Sequence, residues 1–303
     1  MTGIRLDGAV VAITGGGRGI GLAIARELSA AGARVSVGDI DAELAQQAGR
    51  DLNGYGGFLD VRDRGAFEAF LKATEKALGP IDVLINNAGI MPAGDFLAET
   101  DGASDTQIDI NVRGVILGCK AVMPSMITRG RGHIINIASM AGRIAVPGLA
   151  VYCATKYAVV GLTETLREEF RDSGIQFTMV MPSKVTTELA SGTDEAGKGV
   201  PTASPEDVAL AVRDAIEQQL TDVTVPRYLG PVSALQGITP RWVLRGLRRT
   251  LGDRRILEQV DHQARAGYTQ RIASLEKPVP TLKADVKKSV KKTVSKSAAK
   301  KAV

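Results

Sequence analysis

The sequence predicts an α/β fold built on one doubly wound parallel sheet. Three observations carry that expectation. Short Val/Ile/Ala-rich runs alternate with longer helix-patterned stretches as far as residue 225. The runs are nearly continuous in apolar residues, as strands covered on both faces require. A glycine-rich stretch, "TGGGRGIG" at Thr14–Gly21, stands between the first run and the first helical stretch.

In order, residues 9–14 (AVVAIT) read as a buried strand and 19–32 as the helix after it. Residues 34–39 form a second strand, 43–52 a helix, and 56–61 (GGFLDV) a short third strand. A helix over 64–79 leads to a fourth strand at 82–89 (DVLINNAG). Residues 101–128 read as helix, 132–139 as a fifth strand, 150–172 as a long helix and 175–182 as a sixth strand. A further helix starts at Pro205, with Ser204 as its N-cap and proline at the first helical position, where a missing N–H costs nothing. Strand–helix–strand steps imply parallel pairing through crossovers, and no internal repeat is present.

The chain of 303 residues is 44% hydrophobic, enough to bury a large core. Its two cysteines, Cys119 and Cys153, have no paired spacing. That argues against a disulfide framework or a zinc site and fits a reducing compartment. The N-terminus lacks the basic and long apolar regions of a signal peptide, and no run of 18 apolar residues exists. A cytoplasmic location is the expectation.

Charge divides the chain. Residues 1–225 carry 20 Lys/Arg and 28 Asp/Glu, whereas 226–303 carry 18 and 5. Three segments are expected: a mildly acidic α/β body over 1–225, a helical amphipathic extension over 226–276, and a disordered lysine-rich tail over 277–303.

The glycine stretch has a chemical reading. Glycines allow a tight turn and close backbone approach to an anion, and the following helix N-terminus adds partial positive charge. Placement directly after strand one raises the signal above that of an isolated Gly pattern. Asp39 ends the second strand, 18 residues after Gly21. An acid there accepts bonds from a ribose 2′-hydroxyl and repels a 2′-phosphate, which favours NAD. Arg18 is the counter-signal for NADP, since it could meet a phosphate.

A second pattern is "YCATK". Tyr152 and Lys156 stand four apart, on one face of the predicted 150–172 helix. A nearby ammonium favours phenolate over phenol, bringing a tyrosine nearer the range useful for general acid–base work.

Together these features are similar to the short-chain dehydrogenase/reductase family over about residues 5–225. The resemblance rests on Thr14-Gly15-x-x-x-Gly19-x-Gly21, "NNAG" at Asn86–Gly89, Asn111 in "INVRG", Ser139, and the Tyr152/Lys156 pair, with 12 residues between Ser139 and Tyr152. It implies a Rossmann fold and a catalytic set of Asn111, Ser139, Tyr152 and Lys156. Tyr152 would exchange a proton with the substrate oxygen and Ser139 would orient that oxygen. Lys156 would lower the Tyr152 pKa and hold the nicotinamide ribose, and Asn111 would hold a water leading to Lys156. The cofactor would lie against Gly15, Arg18, Gly19, Ile20, Gly21 and Asp39. Asp60 and Val61 would contact adenine, and Asn86, Asn87, Ala88 and Gly89 would line the adenosine side. Pro182, Val185 and Thr187 would complete the nicotinamide end. One departure is Pro182-Ser183 where the family has Pro-Gly, which bears on loop shape there. Residues 183–204 read as a mobile lid.

The implied activity is NAD-dependent interconversion of a secondary alcohol and a ketone, on an apolar, lipid-like substrate. An NADPH-dependent carbonyl or ketoacyl reductase and a non-catalytic nucleotide-binding module or scaffold are the alternatives. The family's habit of pairing helices implies a homodimer or homotetramer through 101–128 and 150–172. Residues 239–252 read as a basic amphipathic helix, suited to an anionic membrane surface or to packing beside the substrate entrance. Residues 253–274 read as another helix. The tail's nine lysines suit anionic lipid or, less well, nonspecific nucleic-acid contact.

Overall fold

The computed structural model describes residues 3–193, 201–231, 257 and 259–276. Seven parallel strands form one sheet in the order β3-β2-β1-β4-β5-β6-β9. These are β1 (Val10–Thr14), β2 (Arg34–Asp39), β3 (Tyr55–Phe58), β4 (Val83–Asn86), β5 (Gly132–Ile137), β6 (Ile175–Pro182) and β9 (Asp222–Val225). A two-stranded pair, β7 (Lys184–Val185) with β8 (Thr202–Ala203), stands apart. The helices are α1 (Gly19–Ala30), α2 (Ala42–Asp51), α3 (Arg64–Leu78), α4 (Asp101–Ile108), α5 (Gly114–Arg129), α6 (Ala150–Glu169), α7 (Pro205–Gln218) and α8 (Ala266–Leu275).

Both faces of the sheet are covered, which is why its strands carry no polar alternation. On one face Ile24, Leu28, Ala45 and Val212 of α1, α2 and α7 pack against Val11, Val35 and Val83. On the other, Phe67, Phe70, Val122 and Val159 of α3, α5 and α6 pack against Val10, Leu84 and Ile134. Side chains cap several helices, Ser204 as expected. Asp41 accepts the Leu44 N–H of α2, Asp63 the Ala66 N–H of α3, and Ser204 forms a reciprocal capping box with Asp207 on α7.

Chain order reverses between β1 and β4, and that is where such sheets open a crevice at their carboxyl ends. One π-helical turn, Asp109–Arg113, joins α4 to α5. Insertions of this kind recur at functional sites, and this one carries Asn111. The α4–α5 stretch, Asp101–Arg129, is long and apolar enough to cross a membrane by length and composition. Its buried side chains, Val115, Leu117, Val122 and Met126, pack into the core, which accounts for that apolarity without a membrane.

Several expectations shift. The third strand covers Tyr55–Phe58, so Asp60 and Val61 follow it. The fourth ends at Asn86 because the Thr14 hydroxyl captures the next two N–H groups, of Asn87 and Ala88, at 3.0 Å each. Strand β9 was not anticipated, and it pairs with the end of β6. Within the predicted 253–274 helix, Leu257 is helical, the chain turns over 259–265, and a regular helix runs from Ala266. The predicted basic helix 239–252, the lysine tail 277–303 and residues 194–200 of the predicted lid lie outside the described residues.

His133 opens β5 fully buried. The Thr178 hydroxyl donates to Leu220 O (2.5 Å), so it accepts from His133 Nε2–H (2.8 Å), and the bare Nδ1 has no partner. Burial pushes the imidazole down to about 4. The unfolded chain therefore binds a proton that the folded chain refuses, and stability falls as pH drops from about 6.5 towards 4. Urea titrations should show a loss of roughly 3 kcal/mol from this residue over that window. The loss should be absent in His133→Gln, whatever that variant's stability at neutral pH.

Candidate active site

The carboxyl ends of β1, β4 and β5 open into a cavity of about 720 Å³. Its first half is made by the glycine turn. Asn87 Nδ2 answers the Thr14 hydroxyl bonds by donating to the carbonyls of Thr14 and Gly15, each at 2.9 Å. The two crossing chains are thereby locked together. Gly15 takes a φ of +63°, and a Cβ on Gly21 would lie 2.2 Å from Gly15 O and 2.6 Å from Asn87 Nδ2. No residue with a side chain fits at Gly21 without opening the turn. No side chain caps α1, so its first-turn N–H groups remain for an anion.

Asp39 is buried at the end of β2. Its carboxylate accepts the N–H groups of Gly17 (2.9 Å) and Asp41 (3.1 Å) and keeps lone pairs for a ligand hydroxyl. Arg18 is engaged elsewhere, pairing with Asp41 at 3.1 Å and Glu188 at 3.9 Å. At the far end of this half, Ser183 lines the cavity with a buried Oγ that has no protein partner. Serine is accommodated after Pro182 because its N–H closes onto Val225 O at 2.8 Å and its φ is not positive. The uncapped helix, the side-chain-free Gly21 and the orphan Ser183 hydroxyl together fit a bound dinucleotide.

The reactive groups stand where the two halves meet. Ser139 follows β5, and its Oγ accepts the Ala141 N–H at 3.1 Å, which caps the short turn Met140–Gly142. Tyr152, 7% exposed on α6, lines the cavity with Ser139, whose hydroxyl donates to Pro182 O at 3.4 Å. One turn on, Lys156 donates to Ile137 O at 2.8 Å, with Nζ 5.7 Å from the Tyr152 ring centroid. Burial acts on both groups in favour of their neutral forms. It raises the Tyr152 phenol above the usual tyrosine range, with the Ser139 hydroxyl opposing, and it lowers Lys156 to about 8. The Lys156 ammonium meets the Tyr152 ring and a backbone carbonyl, and burial outweighs every lowering influence on the phenol.

Asn111 sits behind the cavity wall. Its Oδ1 accepts the Ile90 N–H (2.9 Å), and its Nδ2 donates to Ile90 O (2.8 Å) and Thr155 Oγ1 (3.1 Å). The carboxamide therefore clamps the chain leaving β4. The structure brings every other predicted catalytic and cofactor residue to the cavity wall, from Gly15, Arg18, Gly19, Ile20, Gly21 and Asp39, through Asp60, Val61, Asn87, Ala88 and Gly89, to Pro182, Val185 and Thr187. Asn86 needs correction. It points into the fold, donating to Asn136 Oδ1 at 2.9 Å, because its strand position faces α5.

The second half of the cavity is apolar, lined by Met91, Met140, Ile144, Val146, Leu149 and Leu189. The described part of the predicted lid is tied down. Lys184 donates to Thr193 O at 3.1 Å. Arg265, 2% exposed, donates to Leu189 O (3.2 Å), Ser191 O (2.7 Å) and Met91 O (2.5 Å). That guanidinium joins the flap, the chain after β4 and the C-terminal segment. Sequence reasoning missed Arg265 and the α8 residues Tyr268, Arg271 and Leu275 that line the cavity. They lie outside the recognisable motifs, and only the arginine–tyrosine–arginine spacing on one helix hinted at them.

Comparison with known proteins bears on this arrangement. The family described as short chain dehydrogenase matches residues 9–197, and the chain belongs to that family. Oxidoreductase UcpA of Escherichia coli (strain K12) is 39% identical over 191 residues, covering 61% of this chain and 73% of the relative. D-threitol dehydrogenase of Mycolicibacterium smegmatis is 35% identical over 223 residues, covering 68% and 85%. The crystal structure of a gluconate 5-dehydrogenase from Burkholderia cenocepacia J2315, in complex with NADP and tartrate, is 30% identical. It has a TM-score of 0.67 and covers 73% of this chain and 95% of its own. The chain is an oxidoreductase of the CH–OH-donor type that uses a nicotinamide cofactor.

Gly21→Ala forces the 2.2 Å contact with Gly15 O. Calorimetric titration with NADH should show binding weakened by at least roughly tenfold, about 1.4 kcal/mol, in a variant whose circular dichroism remains that of the folded protein.

Proposed function

We propose that this short-chain dehydrogenase interconverts a secondary alcohol and a ketone with NAD, on a substrate whose skeleton is largely apolar. The observation that carries the reading is the meeting of Ser139, Tyr152 and Lys156 at the junction between a dinucleotide-shaped cleft and an apolar chamber. A bound nicotinamide supplies the two-electron acceptor that no side chain provides. In oxidation Tyr152 Oη takes the alcohol proton, and in reduction it returns one to the ketone oxygen. Ser139, which lines the same part of the cavity, holds the substrate oxygen beside that phenol. Lys156, held on Ile137 O one turn along α6, is placed to hold the nicotinamide ribose beside Tyr152. The flap held by Arg265 and the apolar lining exclude water from the reacting atoms.

Asp39 supports NAD, because its fixed carboxylate would repel a 2′-phosphate. The pairing of Arg18 with Asp41 and Glu188 leaves that arginine already neutralised. An NADP-linked reductase is the second reading, favoured by the NADP held in the gluconate 5-dehydrogenase neighbour. The apolar lining also supports a lipid-like substrate, and the expected location of such an enzyme is the cytoplasm or a membrane surface facing it.

Tyr152→Phe should reduce kcat for secondary-alcohol oxidation, followed as NADH formation, by 10²-fold or more (roughly 3 kcal/mol) while leaving NADH binding within about twofold. Wild-type oxidation should quicken at alkaline pH and ketone reduction should slow, because burial holds the Tyr152 phenol protonated at neutrality. Retention of wild-type kcat in the phenylalanine variant would refute the role.

Asp39→Asn should lower the ratio of kcat/KM for NAD over NADP by about tenfold. An unchanged ratio would mean that the carboxylate does not select the cofactor.

A further inference from the structure

The substrate half of the cavity contains a second phenol. Tyr268 of α8 is 4% exposed and lines the cavity together with Leu149, Leu189 and Leu275. Its Oη accepts the Met91 N–H at 2.8 Å. No acceptor for its own hydroxyl hydrogen is present among the described residues. A phenol has one hydrogen to give, and a buried tyrosine hydroxyl ordinarily finds a partner for it.

The ring is held firmly. The Arg265 guanidinium lies 4.9 Å from its centroid and that of Arg271 lies 5.4 Å away. Arg265 also bonds Met91 O, so one side chain grips the carbonyl of the residue whose N–H bonds Tyr268. Arg271 in turn pairs with Glu188 of the flap at 2.5 Å. Tyr268 is close enough to Tyr152 to add to the upward push on that phenol. Burial holds the Tyr268 hydroxyl protonated, pushed up to about 12. A donor without an acceptor among the described residues, on a ring that lines the apolar chamber with Tyr152, calls for an oxygen on the ligand.

We propose that Tyr268 is a specificity-determining residue that donates a hydrogen bond to a second oxygen of the substrate. The preferred substrate class is then an apolar secondary alcohol or ketone carrying a further hydroxyl, ether or carbonyl oxygen away from the reacting carbon. This inference rests on the dehydrogenase reading above. The polar handle fixes which carbon meets Tyr152, while the apolar walls take the remaining skeleton.

The test compares 2-alkanols with matched diols whose second hydroxyl is moved stepwise along the chain, in wild type and Tyr268→Phe. One spacing should stand out, with kcat/KM at least roughly tenfold above the matched 2-alkanol, the worth of one buried hydrogen bond. Tyr268→Phe should erase that advantage, bringing kcat/KM for the favoured diol to within about threefold of its matched 2-alkanol. The NADH dissociation constant, which the substrate wall does not touch, should stay the same. Equal losses on diols and 2-alkanols in the variant would overturn the role of Tyr268 and leave the dehydrogenase reading standing. A wild type with no preference at any spacing would overturn it as well, whether or not the variant folds. Wild-type silence on both series, despite NADH binding, would remove the dehydrogenase reading and this inference together.

Discussion

The Thr14 hydroxyl is the point on which the cleft depends. Strands β1 and β4 are neighbours, and their chains must part at the carboxyl edge for a ligand to enter. Left alone, the half-buried N–H groups of Asn87 and Ala88 would have no partner in the protein. Thr14 takes both, at 3.0 Å, and Asn87 gives its amide back to Thr14 and Gly15. The glycine turn, the start of α1 and the chain leading to Ile90 are therefore set by one small cluster. Asn111 repeats the device a few residues later, holding both polar atoms of the Ile90 peptide from the π turn. Cofactor groove and reactive groups are in register because the same chain crosses from one to the other.

The sequence made the central fold legible for a physical reason. Strands buried on both faces have to be continuous in apolar residues, and Ser204 before Pro205 marks the start of α7. Site residues were legible where the chemistry is local, as with the side-chain-free Gly21 or the Tyr152–Lys156 spacing. Asn86 and Asn87 were not separable in this way. Adjacent residues at a strand end face opposite ways, and only the sheet's register shows that Asn86 enters the fold while Asn87 faces the cleft. The electrostatic balance at Tyr152 was likewise not legible, because spacing gives the nearness of an ammonium but not the burial that opposes it.

The C-terminal segment shows what lay beyond sequence reasoning. Arg265 looked like one of many basic residues in a basic region. In the fold it is among the most buried side chains, bonded to three backbone carbonyls and stacked on Tyr268. Burying such a cation is costly unless its hydrogen bonds are satisfied. Removing its partners by detaching the flap would leave the charge stranded, so flap and segment stay together. Gly192 adds to this, with a φ of +68° and no room for a Cβ beside Asp261 O. The apolar chamber is walled by residues distant in sequence, held through one guanidinium.

The central claim is that carbinol oxidation takes place where Ser139, Tyr152 and Lys156 meet the dinucleotide cleft. The most direct measurement uses NAD and a secondary alcohol deuterated at the carbinol carbon, with the NADH recovered and analysed by mass spectrometry. One deuterium per NADH, together with slowed turnover relative to the undeuterated alcohol, is the predicted result. NAD that binds but never acquires deuterium from any secondary alcohol, or NADH formed without the label, would contradict the account.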